Sequence, residues 1–242
     1  MKIIYYSDYA CPYCYIGETR LKKAIDEIIS DGSVRVNEPI ELEMHSFRLN
    51  PDAPAQPEGD AVTRFAKKYR MSPMLAKHQA DKISDMGRRE GLEFNYAGTR
   101  SVNTMDAHRL TKLALTKDAD MANTVADALF KAYFADNLIL TETETLINAG
   151  RQAGLDPDKI KEMLQTDAFT SDVLKDEEEA HNKGITGVPF FEIGERTVSG
   201  AEPVERFKGY ILEALSSADE VSSLPGDTDH TRVCGPDGCT LS

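Results

Sequence analysis

The spacing of apolar residues changes repeatedly along the chain. Ile3-Ile4-Tyr5-Tyr6 is a short apolar run that predicts a buried strand, and after a turn at Tyr9-Ala10-Cys11 the period becomes helical. There Leu21, Ala24, Ile25, Ile28 and Ile29 share one face, with Lys22, Lys23, Asp26 and Glu27 opposite. Asp31-Gly32 ends this helix, and Ile40, Leu42 and Met44 then alternate with Glu41, Glu43 and His45 as in a second strand. Strand, helix, strand predicts a βαβ unit with two parallel strands, which places the turn before Cys11 at the carboxyl end of the first.

A proline-rich stretch, Asp52 to Asp60, suits neither helix nor central strand and predicts a domain boundary. From there to about Glu178 the periodicity is helical throughout. Val62, Phe65, Ala66 and Tyr69 give one face, Ser72-Pro73 opens a helix with Met74, Leu75, Ile83 and Met86, and Asn103-Thr104 caps another with Met105, His108, Leu110 and Leu113. The segment after it resumes strand character. Val188-Pro189 enters a strand, and Gly194-Glu195 provides a type II′ hairpin turn to Arg196-Thr197-Val198-Ser199. A last amphipathic helix follows Pro203, and the polar composition after Ser216 predicts a tail. The expected organisation is thus an α/β domain over residues 1–60 and 180–216, an all-helical insertion over 61–179, and a tail over 217–242.

Composition narrows the function. The 242 residues carry 28 Lys and Arg against 41 Asp and Glu, a net charge of -13, with no basic cluster. Nucleic acid and anionic membranes are therefore not expected as partners. No run reaches the roughly 18 apolar residues of a membrane span. Ser7 and Asp8 interrupt the opening apolar run too early for a secretory signal, so a reducing cytoplasm is expected.

In that compartment Cys11-Pro12-Tyr13-Cys14 points to redox chemistry. A cysteine where a helix begins meets unsatisfied N–H groups and a partial positive charge, both favouring the thiolate. Pro12 suits the first helical position. Cys14, one turn on, is placed to resolve a mixed disulfide formed at Cys11. The same spacing serves half of a zinc site or inert packing. A zinc knuckle would want a second, similarly spaced pair, and the other cysteines, Cys234 and Cys239, are wider apart at the far end, so no metal is expected. The Gly-Pro-Asp-Gly turn between Cys234 and Cys239 lets that pair close a small loop, as a second redox couple or an incidental one. His108 is expected to pack or cap its helix rather than act as a base.

The ordered set Cys11-Pro12-Tyr13-Cys14, Phe47-x-Leu49-Asn50-Pro51, Asn103-Thr104 with Ala107-His108-Arg109-Leu110, Leu129-Phe130-x-Ala132-Tyr133-Phe134, and Gly184-x-x-Gly187-Val188-Pro189-Phe190-Phe191 resembles the DsbA-like thioredoxin-fold oxidoreductases, most closely their FrnE-like cytoplasmic branch. The resemblance spans nearly the whole chain. It implies a thioredoxin-like fold with a large helical insertion, a cis Val188–Pro189 peptide against the cysteines, and a substrate strand held by Pro12, Tyr13, Val188 and Pro189. It further implies thiol–disulfide exchange without a cofactor, on protein or small-molecule thiols and disulfides, with glutathione, a thioredoxin-like reductant or Cys234/Cys239 exchanging electrons. The Pro-Tyr dipeptide departs from the Pro-His of strongly oxidising relatives, since Tyr13 brings no positive charge to the thiolate. A glutathione-dependent isomerase or transferase of the kappa type, and a holdase with a groove lined by Met71, Met74 and Met86, are the alternatives. Cys14 counts against the first, and methionine's preference for cores against the second.

Overall fold

A computed structural model describes residues 1–32, 39–57 and 59–223. Strands β1 (Lys2–Ser7) and β2 (Glu41–Ser46) are joined by helix α1 (Pro12–Asp31). Helices α2 (Ala61–Tyr69), α3 (Pro73–Arg89), α4 (Met105–Leu115), α5 (Ala119–Phe134), α6 (Thr143–Gln152), α7 (Pro157–Leu164) and α8 (Thr170–Asn182) follow. The chain then returns to the sheet through β3 (Phe190–Ile193) and β4 (Arg196–Ser199), and α9 (Val204–Ser223) packs behind it.

The sheet order is β2-β1-β3-β4. β1 runs parallel to β2, in a register that pairs Tyr5 with Met44, and antiparallel to β3, pairing Tyr5 with Phe191. This central strand is covered on both faces, as its continuous apolar run requires. On one face Tyr5 stacks on Phe191, which meets Phe207 of α9 edge-on. On the other, Tyr6 packs with Ala180 of α8 and Ile185. The β3–β4 hairpin turns at Gly194, whose φ of 59° falls in the left-handed region that glycine enters without strain.

The insertion grips α1 through an aromatic column. Tyr15 lies 5.0 Å from Phe130 and 5.8 Å from Phe94, and Phe94 stacks on Phe134 at 4.8 Å. Each such pair contributes about 0.5–1.5 kcal/mol beyond area burial. Arg109 locks the α7–α8 junction, donating to the carbonyls of Met163, Thr166 and Ala168.

Three sequence readings change. α3 does not bury Met74 and Leu75, which are 82% and 46% exposed; it buries Ala76, Ala80, Ser84 and Gly87 instead. Small residues let the helix approach Phe94 closely, and this preference overrides the methionine pattern. α9 continues to Ser223 rather than ending at Ser216, because polar residues do not by themselves stop a helix. The Asn103 amide also donates to the carbonyls of Pro51 and Ala53, at the start of the proline-rich stretch. At α4, Asn103 Oδ1 accepts from Met105 N, and the Thr104 hydroxyl is committed elsewhere.

Candidate active site

The first turn of α1 carries the cysteines. Cys11 is the extended residue before the helix, with φ of -94° and ψ of 113°, and Pro12 occupies the first helical position. The turn is held because Cys11 N donates to Asp8 O at 3.0 Å. Cys11 and Cys14 carry free thiols, 4% and 1% exposed. Tyr13, between them, is 42% exposed. Burial pushes the Cys14 thiol well up, its neighbour Cys11 adds to the rise, and the Asp8 N–H and Ser7 hydroxyl oppose it.

The segment entering β3 meets the cysteines from the other side. The Val188–Pro189 peptide is cis. The Cys11 thiol donates to the Val188 carbonyl at 3.5 Å. Gly17 permits this approach: a Cβ there would stand 3.2 Å from both the Pro189 ring and the Phe191 ring. Cys11, Cys14, Pro12, Val188 and Pro189 therefore lie together, with Tyr13 at the rim, whereas Cys234 and Cys239 fall outside the described residues. Sequence reasoning passed over Gly17, although a glycine inside a strongly patterned helix signals close approach.

It also passed over Asp8. This carboxylate is 1% exposed and accepts from Ala10 N at 3.2 Å, Leu49 N at 2.8 Å and the Thr104 hydroxyl at 2.9 Å. One side chain thus ties the cysteine turn, the segment after β2 and the start of α4. Next to it a cavity of about 340 Å³ is lined by Ala10, Leu49, Arg64, Phe65, Lys68, Tyr69 and Tyr96 among others. His108 neither caps α4 nor reaches solvent; it is fully buried beside Asp8 and Tyr9. Among the described residues no cluster of three or more His, Cys, Asp or Glu is arranged to hold a metal ion, and no helix is long and apolar enough to cross a membrane.

A four-stranded thioredoxin-like sheet, a helical insertion and a vicinal thiol pair at a helix start define a DsbA-type architecture. The DSBA-like thioredoxin domain family matches residues 2–212, and the chain belongs to that family. A probable DsbA oxidoreductase from Streptomyces coelicolor is similar over 100% of this chain and 99% of its own, with 30% identity and a TM-score of 0.79. The Bacillus subtilis protein YwbO is 24% identical over 86% of this chain and 94% of its own length. The cytosolic disulfide reductase DsbM of Pseudomonas aeruginosa, solved with glutathione, shares the fold at 13% identity and a TM-score of 0.56, over 93% of this chain and 100% of that one.

Proposed function

We propose that the protein is a thiol–disulfide oxidoreductase of the FrnE-like cytoplasmic branch, with Cys11 as nucleophile and Cys14 as resolving thiol. The observation that carries this reading is the Cys11 thiol at the start of α1, 3.5 Å from the Val188 carbonyl, with Cys14 one turn further on. In the reductive direction the Cys11 thiolate attacks a client disulfide: a Cys11–client S–S bond forms, the client bond breaks, and one client sulfur leaves as thiolate. Cys14 then loses its proton and attacks the Cys11 sulfur. The Cys11–Cys14 disulfide forms as the second client thiolate departs. Two electrons pass to the client, and the two cysteine protons go to its sulfurs or to water. The reverse sequence oxidises a client dithiol, and attack without resolution by Cys14 permits disulfide isomerisation.

The Val188 backbone, with Pro189, Pro12 and Tyr13 around it, receives the client chain beside Cys11. The neighbouring cavity supports a role for small anionic thiols such as glutathione, because Arg64 and Lys68 supply positive charge and Phe65, Tyr69 and Tyr96 apolar contact. A thioredoxin-like protein or the Cys234/Cys239 pair are the other electron partners in this reading.

Equilibration across glutathione redox buffers, followed by alkylation and mass mapping of all four cysteines, tests it. A reversible Cys11–Cys14 disulfide is expected. Stable glutathione adducts at Cys11, with Cys14 never paired to it, would reject the reading in favour of glutathione-dependent isomerase or transferase chemistry.

A further inference from the structure

Beneath the cysteine turn lies a buried acid–imidazole pair that takes no part in the exchange steps above. His108 Nε2 is 3.5 Å from Asp8 Oδ1, and both side chains are out of solvent. Among the described residues neither ring nitrogen of His108 has a hydrogen-bond partner. A neutral imidazole left in that state loses the hydration of both nitrogens without compensation. Asp8 is buried beside it, three residues before Cys11, with its carboxylate accepting from Ala10 N, Leu49 N and the Thr104 hydroxyl, and its backbone holds the turn on which a thiolate must form. A second negative charge close to a buried carboxylate is disfavoured.

Other titratable and charged groups stand around the pair, and Arg64 lines the same cavity as Asp8. From the cysteine turn comes Tyr9, its ring 4.9 Å from the imidazole and its phenol pushed up by burial. From α5 comes Tyr133, also pushed up by burial, with the Asp8 charge adding to the rise and Arg64 opposing it. Both phenols are neutral at neutral pH. Arg64 donates to the Thr99 carbonyl at 2.8 Å. On α4 itself, Arg109 pairs with Asp106 and Lys112 with Asp176.

We propose that His108 is a positioning residue for the Cys11–Cys14 pair: held as an imidazolium against Asp8, it cancels the carboxylate's charge, so that the Cys11 thiolate forms above a neutral pair. This supplies from below the turn the positive charge that Tyr13 does not bring. The proposal rests on Cys11 being the nucleophile.

The test is the pH dependence of Cys11 alkylation by iodoacetamide, with the label located by mass mapping, in wild type, His108→Gln, Asp8→Asn and the double variant. His108→Gln should cut the thiolate fraction at neutral pH about tenfold, the effect of exposing the thiolate to one uncancelled charge at protein-like dielectric. Adding Asp8→Asn should restore it to within about twofold of wild type, a reversal that loss of packing would not produce. An unchanged titration in His108→Gln overturns the proposal, as does a folded double variant no better than His108→Gln alone. Should the variants not fold, nitrogen NMR of wild type labelled at histidine decides: imidazolium shifts at both His108 nitrogens at neutral pH support the pair, and a neutral tautomer overturns it. A wild-type label found away from Cys11 would instead refute the nucleophile assignment, while the His108 spectrum still reads the pair by itself.

Discussion

The end of β2 is joined to the helical insertion by a buried ion pair, and breaking it should be among the most damaging single changes available. Asp176 of α8 accepts from Ser46 N at 2.6 Å and from the Lys112 ammonium of α4 at 2.5 Å, with both charged side chains 9% exposed. Asp176→Asn keeps the shape and an acceptor for Ser46 N but leaves the Lys112 charge buried and unpaired. Removing one partner of a buried pair costs about 3–5 kcal/mol, against a typical total stability of about 5–15 kcal/mol. For a chain of this size that corresponds to a melting temperature lower by about 6–20 °C. Urea titration and thermal melts of wild type and Asp176→Asn measure it directly. A second variant isolates the charge: Asp176→Asn with Lys112→Met keeps an acceptor for Ser46 N, leaves no buried charge unpaired and should cost less than Asp176→Asn alone. A loss below about 1 kcal/mol in Asp176→Asn, the scale of an exposed pair, would refute the reasoning and mean that Lys112 finds water.

Other perturbations probe the same framework. Burial holds the Glu18 carboxyl above its ordinary value of 4.5, and Lys22 only partly opposes this. The folded protein therefore keeps that proton longer than the unfolded chain, and stability from this site is present at low pH and declines as pH rises through the raised value. Glu18→Gln should remove that decline, so denaturation midpoints at pH 7 equal to or above wild type are expected, and a lower one would show that Lys22 needs its partner. Gly87→Ala places a Cβ 2.3 Å from the Phe94 ring, an overpacking that should cost about 1–3 kcal/mol by urea titration. If Cys234/Cys239 exchanges with the active pair, Cys239→Ser should slow reoxidation of Cys11–Cys14 in a turnover assay; identical turnover and potential would remove the tail from the cycle.

Much of the fold was legible because the sequence obeys local rules where it builds the sheet. The apolar run of β1, the alternation of β2 and the Gly194 turn each dictate one structure, and the βαβ order puts Cys11 at the carboxyl end of β1. The α3 face was misread for a physical reason: Ala76, Ala80, Ser84 and Gly87 are buried for their small size, which hydrophobic periodicity scores weakly. The end of α9 was misplaced because the end of a helix and a polar tail can have similar composition. Cys11 and Cys14 stood out by spacing, and Val188-Pro189 by resemblance. Asp8 did not, and Thr104 did so only as a helix cap and a family residue, because 96 residues separate the two and neither carries a local signature of the bond between them.

That long-range bond shows what the helical insertion contributes to the site. A thioredoxin-like sheet with α1 already presents two thiols at a helix start, so the insertion is not needed to place them. It fixes their surroundings instead. Thr104 holds one oxygen of Asp8, the segment after β2 holds the other, and Asn103 anchors the proline-rich stretch that leads away from the site. The aromatic column from Phe94 and Phe130 to Tyr15 fixes the face of α1 immediately after Cys14. Rotation or sliding of the insertion would therefore disturb the Asp8 bonds and the start of α1 together.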